Sequence, residues 1–409
     1  MSGEGTGGGG GAPPPQRTLQ IVHVTPYFAP AFVYGGPPRS VLGLCRALQR
    51  AGAGVRVVTT SANGATDLPP AVTEPGLYDD VPVTYLPRSF PKRDFRAAAL
   101  PGTLDAVADG VDVVHVHGCW NCFGWEAARW CWRRGRPYVL SPRGMLYPWS
   151  FRQGRWIRKR VSYHLFERET LRRAALIHAT TAQEADVIAA LGLGSDVVVV
   201  PNGLDDLDEL PLGRSDGFRA RFGVQPADFL TLFLGRVHPK KGLDILIAGC
   251  RRAMADRRRA TLLIAGTGER QYVERLQSTA RDLIDAGRVV FAGHLAGEER
   301  RLALASADAF ALTSLSENFG LSVAEAMAAG LPVVVSRDCP WPQIEAWGAG
   351  LWVENTPEAV GAALQTLMRD PVAAAAMGEN GRRGARDHLG WPRLAVEMLQ
   401  VYGRATGCH

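Results

Sequence analysis

The chain has 409 residues, of which 46% are apolar and 21% are charged, and this composition excludes a mainly disordered chain and a coiled coil. The 46 Lys and Arg residues exceed the 40 Asp and Glu residues by six, a mild excess that suits handling of phosphates or an anionic membrane without requiring nucleic acid. No apolar run approaches the ~18 residues of a membrane span, we recognise no signal peptide, and seven scattered Cys indicate reduced thiols of a cytoplasmic protein.

Strands and helices alternate in the first half of the chain. Residues 1–17 are rich in Gly and Pro, and we interpret them as a disordered tail. Short β-branched runs predict strands at 19–27, 54–60, 111–117, 136–142, 175–181 and 196–203. Apolar periodicity predicts helices at 39–51 and 182–191.

The alternation stops at 204–217, where acids, Pro and Gly predict a linker, and then restarts. The second half has predicted strands at 229–236, 260–269, 288–294, 309–314, 331–336 and 350–354. Its predicted helices are 242–254, 271–285, 297–306, 321–329, 357–369, 371–386 and 393–403. This order predicts an α/β fold of two doubly wound, Rossmann-like domains, 18–203 and 218–386, which face each other across a cleft.

The most informative segment is SLSENFGLSVAEAMAAGLPVVVS, residues 314–336. Glu317 follows a predicted strand, and Glu325 lies in the first turns of the next helix. The turn between them contains Phe319, Gly320 and Leu321. A helix N-terminus offers free N–H groups to a diphosphate, and carboxylates accept hydrogen bonds from sugar hydroxyls. The alternative is structural, because Ser322 and Glu325 have the spacing of a capping box.

The second motif is GRVHPKKG, residues 235–242, directly after a predicted strand. Arg236 and Lys241 flank its loop, and two cations at a strand end can neutralise a diphosphate without a metal ion. A pair of solvated surface charges is the alternative.

Glycines mark two further loops. Gly35 and Gly36 follow the first strand and would let the backbone approach a phosphate or a sugar, although a plain surface turn is the simpler interpretation. Gly266 and Gly268 lie in AGTGE, which lacks the third glycine of a dinucleotide fingerprint and therefore argues against a nicotinamide site.

Two histidines, His115 and His117, alternate on one predicted strand and so face the same side of the sheet. His117 is nearer the carboxyl end and the cleft, whereas a core histidine is an equal alternative for His115. Cys119 and Cys122 have the spacing of half a zinc site, but no second pair accompanies them, and we favour packed thiols.

A basic stretch runs from Arg143 to Arg173, where nine Lys or Arg and two Glu give 9 − 2 = +7. Its cations include Arg158, Lys159 and Arg160, and aromatic residues such as Trp156 lie between them. Such a stretch fits a peripheral membrane patch on the acceptor side. A solvated helix face with aromatics packed inward is an equal alternative, and no nucleic-acid-binding module accompanies the stretch.

These motifs, together with PNGLD at 201–205, resemble the retaining glycosyltransferases of family 4, which have the GT-B fold. The resemblance covers 19–400, and SPRGMLYPW at 141–149 is similar to a bacterial subset that builds surface polysaccharides or lipid-linked glycans. A departure is Lys240, where relatives often carry an acid.

The resemblance implies a role for each matching residue. Arg236 and Lys241 would hold the donor diphosphate, and Glu317 would contact the transferred sugar. The other implied donor-site residues are Glu325 at the ribose, Gly35 and Gly36 at the phosphates, and Gly266, Gly268 and His294 near the nucleotide, with Phe319, Gly320 and Leu321 in the turn. His117 would lie near the reacting sugar, and residues 387–409 would form a helix that crosses back to the N-terminal domain.

We therefore expect a retaining glycosyltransferase that uses a nucleotide-sugar and a glycan or lipid-linked acceptor, in cell-surface polysaccharide synthesis. The expected reaction needs neither a metal ion nor another cofactor, and nucleic acid is not an expected partner. We expect a cytoplasmic protein, with contact at the inner face of the membrane if the acceptor is lipid-linked. A GT-B nucleotide-sugar epimerase and a non-catalytic sugar- or nucleotide-binding protein are the alternatives.

Overall fold

The computed structural model describes residues 18–152, 156–205, 213–254 and 259–407. The predicted tail at 1–17 and positions 206–212 of the predicted linker lie outside the described residues. The side chains of 151–158 are likewise outside the description.

The N-terminal domain is built on one eight-stranded sheet. The strands of this domain are β1 Gln20–Thr25, β2 Gly54–Thr60, β3 Ala62–Asn63, β4 Thr66–Asp67, β5 Gly76–Tyr78, β6 Val81–Leu86, β7 Val113–His117, β8 Tyr138–Ser141, β9 Leu176–Ala179 and β10 Val197–Val199. Strands β3 and β4 form a short hairpin that is not part of the eight-stranded sheet. The sheet order is β10-β9-β8-β7-β1-β2-β6-β5, and only β5 is antiparallel to its neighbour. The central strands are buried along almost their whole length, as expected for a sheet covered by helices on both faces.

The helices of this domain follow the strands in alternation. They are α1 Gly36–Arg50, α2 Pro70–Thr73, α3 Leu100–Asp105, α4 Cys122–Arg134, α5 Pro148–Arg152, α6 Trp156–Ser162, α7 Arg168–Arg172 and α8 Ala182–Ala189. A π-helical turn, Tyr163–Glu167, joins α6 to α7. Helix α1 begins at Gly36, three residues before the predicted start, because Pro is tolerated in the first turn of a helix.

The C-terminal domain has a six-stranded sheet in which every pair is parallel. Its strands are β11 Phe229–Leu234, β12 Ala260–Ala265, β13 Val289–Gly293, β14 Ala309–Leu312, β15 Val333–Ser336 and β16 Gly350–Val353. The order β13-β12-β11-β14-β15-β16 reverses direction between β11 and β14, and ligands of such sheets bind beyond the strand ends at this point. The prediction of two Rossmann-like α/β domains is confirmed.

The remaining helices cover the second sheet, except for the last. They are α9 Asp216–Arg221, α10 Leu243–Ala253, α11 Arg270–Thr279, α12 Arg281–Asp285, α13 Gly297–Ser306, α14 Leu321–Ala328, α15 Gln343–Trp347, α16 Pro357–Arg369, α17 Pro371–Leu389 and α18 Trp391–Thr406. The boundary predicted at 386 falls inside α17. Helix α18 packs on the N-terminal domain, where Trp391, Met398 and Tyr402 join the core around α1 and β1. In the described part of the chain, no helix has the length and apolar character needed to cross a membrane.

Candidate active site

A lysine–glutamate pair lies at the carboxyl ends of β11 and β14. The Nζ atom of Lys241 donates to Oε1 of Glu317 at 2.5 Å, and the hydroxyl of Ser314 donates to the same oxygen at 2.7 Å. Burial raises the pKa of Glu317, but the charge and the hydrogen bond of Lys241 outweigh burial and leave that pKa below its usual range. Glu317 is therefore an ionised carboxylate. No described residue hydrogen-bonds to its Oε2, so this oxygen can accept a hydrogen bond from a hydroxyl of a ligand.

The clamp loop, residues 235–242, meets the N-terminal domain at the early glycines. A Cβ added to Gly35 would lie 3.5 Å from Nε of Arg236, and one added to Gly36 would lie 3.2 Å from Cδ1 of Leu321. Gly35 also has a φ of +87°, which side-chain-bearing residues rarely adopt. The structure thus brings Arg236, both early glycines and the start of α14 together across the cleft.

Helix α14 begins without a side-chain cap. Its N-cap residue is Gly320, with a φ of +77°, so Ser322 lies inside the helix and cannot be the N-cap of a capping box. The carboxylate of Glu325 accepts instead from Arg300. The capping-box interpretation of Glu325 is therefore wrong, and the first turn of α14 has no capping side chain, although the N–H of Val323 donates to the carbonyl oxygen of Gly320.

Four other predicted donor residues have different surroundings. The ring of Phe319 is 5% exposed and packs on Trp341, at 5.1 Å between ring centroids, so only the backbone of Phe319 can reach a ligand. A Cβ on Gly266 would lie 1.7 Å from the carbonyl oxygen of Gly235, and Gly268 is equally close to the clamp loop. These glycines let the loop after β12 pack on the clamp loop. His294 is exposed just after β13.

The predicted histidines belong to a buried hydrogen-bonded cluster. His115 contacts the hydroxyl of Tyr402 and Oγ of Ser141, each at 2.7 Å, so it links β7 to α18 and β8. His117 is 1% exposed, and its Nε2 lies 2.9 Å from Nδ1 of His23. Burial, followed by neighbouring charged and polar groups, holds the pKa of His115 and His117 well below its usual range, so both rings are neutral.

The second ring nitrogen of His117 is occupied by Arg143. Nδ1 of His117 lies 3.2 Å from Nε and 3.1 Å from Nη2 of the guanidinium, while Nη1 lies 3.0 Å from Oγ of Ser40 and 3.3 Å from Oδ1 of Asn202. Both ring nitrogens of His117 thus have protein partners. From the sequence alone, we did not identify His23, Ser40 or Asn202 as site residues. Of the three, only Asn202 lies in a motif that could have indicated a role, PNGLD at 201–205.

Asn318, the residue that follows Glu317, contacts the N-terminal domain. Nδ2 of Asn318 donates to Oγ1 of Thr180 at 2.9 Å, and a Cβ on Gly144 would lie 2.6 Å from Cβ of Asn318. Glu184, which is buried, accepts hydrogen bonds from the backbone N–H groups of Gly144 and Thr180 and holds their two loops together. No sequence pattern indicated this contact.

One cluster of described residues has the composition of a metal site. Ring nitrogens of His23, His115 and His117 lie within 4.8 Å of one another. All of these ring nitrogens except Nε2 of His23, which has no hydrogen-bond partner among the described residues, are engaged in the hydrogen bonds above, and the Arg143 guanidinium on His117 disfavours a second cation. Cys119 is a buried free thiol, and burial raises its pKa, which fits packing better than metal ligation.

The described part of the basic stretch exposes cationic side chains as well as apolar side chains to solvent. Lys159 donates from Nζ to the carbonyl oxygen of Ser150 at 2.5 Å, and Arg160 is exposed. Leu165, in the π-helical turn, is 63% exposed, and Val161 is exposed beside it. The side chains of Trp156 and Arg158 lie outside the described residues. Glu167 is buried and accepts from the backbone N–H of Trp120 at 2.6 Å, and burial raises its pKa to about 7.

Two family models match the chain, "Glycosyl transferases group 1" over residues 215–384 and "Glycosyl transferase 4-like domain" over residues 35–203. The D-inositol 3-phosphate glycosyltransferase of Xylanimonas cellulosilytica is 31% identical, over 94% of this chain and 95% of the relative. A GDP-mannose-dependent phosphatidylinositol monomannoside mannosyltransferase of Mycolicibacterium smegmatis is 37% identical over 45% of this chain and 50% of its own length.

Solved structures resemble the whole molecule. Anabaena HepE in complex with UDP and glucose superposes with a TM-score of 0.73 at 20% identity, covering 94% of this chain and 99% of HepE. Sucrose-phosphate synthase from Thermosynechococcus elongatus gives a TM-score of 0.72 at 21% identity, covering 95% and 100% of the two chains. At these identities the likeness concerns the fold.

Proposed function

The chain belongs to the family 4 glycosyltransferases and has their GT-B fold, and we propose that it transfers a sugar from a nucleotide-diphosphate-sugar to a glycan or lipid-linked acceptor with retention of configuration. The observation that carries this proposal is the Lys241–Glu317 pair, whose lysine belongs to the same loop as Arg236, the side chain that lies against Gly35. The structural neighbour HepE was solved in complex with UDP and glucose, which supports a nucleotide-sugar donor.

The donor diphosphate lies between the clamp loop and the start of α14 in this proposal. The exposed guanidinium of Arg236 and the ammonium of Lys241 neutralise its charge, and the uncapped N–H groups of α14 donate hydrogen bonds to its oxygens. Gly35 and Gly36 leave the space that side chains would otherwise fill. Glu325, on the same helix, accepts from a ribose hydroxyl in place of, or beside, Arg300.

The reaction proceeds on one face of the sugar. The acceptor oxygen forms a bond to the anomeric carbon on the side from which the diphosphate oxygen leaves, and the acceptor proton passes to that leaving oxygen. Stabilisation of the leaving charge by Arg236 and Lys241 is then the main catalytic contribution. Glu317 remains ionised and accepts hydrogen bonds from the transferred sugar, so it need not form a covalent intermediate.

The same groups make a metal ion unnecessary in this proposal. Two cations and a helix N-terminus supply the positive charge that a divalent ion supplies in other transferases. The acceptor side also has a proposed membrane contact, because Lys159 and Arg160 lie beside the exposed Val161 and Leu165. A contact of this kind suits a lipid-linked acceptor of surface-polysaccharide synthesis at the inner face of the membrane.

A screen of nucleotide-sugars by thermal shift tests the donor assignment, because a ligand of the native state raises its stability by mass action. We expect one nucleotide-sugar to raise the Tm of the full chain and to turn over when acceptors are added. A donor that binds but is never transferred or hydrolysed would favour a non-catalytic binding protein.

A further inference from the structure

The cleft holds a third cation, Arg143, which the donor clamp does not use. We propose that Arg143 binds a phosphate group on the acceptor. This inference rests on the proposed function, because it concerns the second substrate of the same transfer.

The backbone and four neutral contacts fix the position of this guanidinium. Arg143 has a φ of +53°, which is unfavourable for a residue with a side chain, and such strain is concentrated at functional sites. Its Nε and Nη2 both contact Nδ1 of His117, and its Nη1 contacts Ser40 and Asn202. The strained turn and these three partners hold the charged group in one orientation.

Two histidines behind the guanidinium support this orientation. Since Nδ1 of His117 accepts from Arg143, the ring proton of His117 is on Nε2, and it is donated to Nδ1 of His23 at 2.9 Å. Burial and the charge of Arg143 keep the pKa of both rings low, so His117 stays an acceptor near neutral pH. His23 and His117 are therefore positioning residues for Arg143.

The charge of Arg143 has no counter-ion in contact with it. No carboxylate among the described residues lies within 4.0 Å of the guanidinium, and the two oxygens of Glu184 are occupied by Gly144 and Thr180. By contrast, the buried Arg219 contacts Asp308 at 3.1 Å. A partly buried cation with only neutral partners is costly unless a ligand supplies the negative charge.

One donor of Arg143 remains for that ligand. The contacts to His117 use one N–H on Nε and one on Nη2, and those to Ser40 and Asn202 use two on Nη1, so they account for four of the five N–H groups. The fifth, on Nη2, has no partner among the described residues. Guanidinium N–H groups bind oxyanions, and phosphate in particular, more strongly than neutral acceptors.

The position of Arg143 separates this anion from the donor diphosphate. Arg143 precedes Gly144, which touches Asn318 next to Glu317, whereas Arg236 lies against Gly35. Glu317 is the residue proposed to hold the transferred sugar. The partners of the guanidinium, His117, Ser40 and Asn202, all belong to the N-terminal domain, so a phosphate on Arg143 lies on the face of the cleft opposite the donor clamp, where the acceptor must approach.

The test compares a phosphorylated acceptor probe with its neutral counterpart on the full chain. Calorimetry in the presence of saturating nucleotide diphosphate would measure the affinity for myo-inositol 3-phosphate and for myo-inositol, and sedimentation would measure binding to phosphatidylinositol vesicles. The variants are Arg143→Gln, Arg143→Lys and the control Arg134→Gln, whose side chain is half exposed on α4 and paired with Asp105. Nucleotide affinity is measured on the same samples.

We expect wild type and Arg134→Gln to bind a phosphorylated probe about tenfold or more tightly than myo-inositol, and Arg143→Gln to lose this preference while nucleotide affinity stays within about twofold. Arg143→Lys should retain part of it. Preference for the soluble probe or for the vesicles identifies the source of the phosphate. The proposal is overturned if wild type shows no preference, if Arg143→Gln keeps it, or if that variant loses nucleotide instead. Failure of wild type itself to bind any nucleotide diphosphate would instead contradict the proposed function.

Discussion

Lys241 lies in a largely buried ion pair, and its position differs from that of the neighbouring Lys240. The ammonium of Lys240 lies 4.9 Å from the ring centroid of Trp149, on the opposite domain, whereas Lys241 holds Glu317 directly. This difference favours Lys241 over Lys240 as the lysine of the proposed clamp.

Replacement of Lys241 or Arg236 by Ala should lower donor turnover by about 100-fold or more, because each removes a cation that stabilises the leaving diphosphate. Rates of nucleotide release, with Tm measured in parallel, would test this. Lys240→Ala is the matched control, for which we expect a loss below about tenfold. An equal loss in Lys240→Ala, or wild-type turnover in Lys241→Ala and Arg236→Ala, would contradict the assignment.

Substitutions of Glu325 and Glu317 should affect different steps, nucleotide binding for Glu325 and sugar transfer for Glu317. Glu325→Gln should weaken nucleotide affinity about tenfold, since a neutral amide binds a ribose hydroxyl less strongly than a carboxylate. Glu317→Gln should instead lower the rate of sugar transfer and leave nucleotide affinity nearly unchanged. Calorimetry and single-turnover rates measure the two quantities. An unchanged nucleotide affinity in Glu325→Gln would reduce that residue to the structural partner of Arg300.

The residues of the site were predictable from the sequence only where a motif contains them. Arg236 and Lys241 follow β11, and Glu317 follows β14, which is the neighbour of β11 in the sheet. Because the carboxyl ends of neighbouring parallel strands lie at the same edge, the predicted strands were enough to place these residues together. The partners of Arg143 come from three distant segments, and no local pattern links Ser40 to Asn202. Hydrogen bonds between such residues depend on tertiary packing, which periodicity does not encode.

At the scale of elements, sequence patterns predicted the long buried strands and missed the irregular pieces. Helix α4 escaped prediction because aromatic and arginine residues obscure its apolar stripe, although the side chain of Asn121 caps it by accepting from Gly124 at 2.7 Å. Strands β3 to β5 have only two or three residues each and lie in a separate hairpin or at the sheet edge, where alternation is weak, and the longer β6 was missed with them. The loops after β8 and β9 mattered more for the site, because they receive Asn318 from the C-terminal domain.

The contact between these loops and Asn318 should be sensitive to one methyl group. Gly144→Ala adds a Cβ that would lie 2.6 Å from Cβ of Asn318, at a φ of +73°. Gly192→Ala is the matched control, because Gly192 has a φ of +61° and no atom within 4 Å, so it carries the backbone strain without the clash.

We expect Gly144→Ala to lower the transfer rate about tenfold beyond Gly192→Ala, since the domains can no longer meet at this point, and we expect Gly144→Ala with Asn318→Gly to recover part of the loss. Turnover and Tm of the three variants provide the comparison. Equal rates for the two single variants would show that this contact does not limit transfer.

At the scale of the whole molecule, α18 joins the domains by packing on α1 while the clamp and the early glycines meet across the cleft. Among the described side chains of the basic stretch, Arg160, Arg168, Val161 and Leu165 are exposed on the N-terminal domain. Each cation near an anionic leaflet contributes about 1 kcal/mol, and Leu165 adds exposed apolar area.

The chain should therefore co-sediment with anionic vesicles at low salt and less so at high salt or with neutral vesicles. Substitution of four cations of the basic stretch 143–173, namely Arg155, Arg158, Lys159 and Arg160, by Ser should weaken this binding. Absence of vesicle binding at low salt would leave a soluble acceptor as the better proposal.

Removal of divalent ions should leave turnover intact, because in the proposed function the clamp and the start of α14 balance the charge of the diphosphate. Donor turnover in EDTA measures this directly. Complete loss that manganese or magnesium restores would require a metal ion at the diphosphate.

The most direct test of the central proposal is ¹H NMR of the anomeric region while the chain turns over the nucleotide-sugar that raises its Tm most. We predict a glycoside whose anomeric configuration matches that of the donor, formed by wild type and lost in Lys241→Ala. A product of inverted configuration, or an epimerised donor without any glycoside, would contradict a retaining glycosyltransferase.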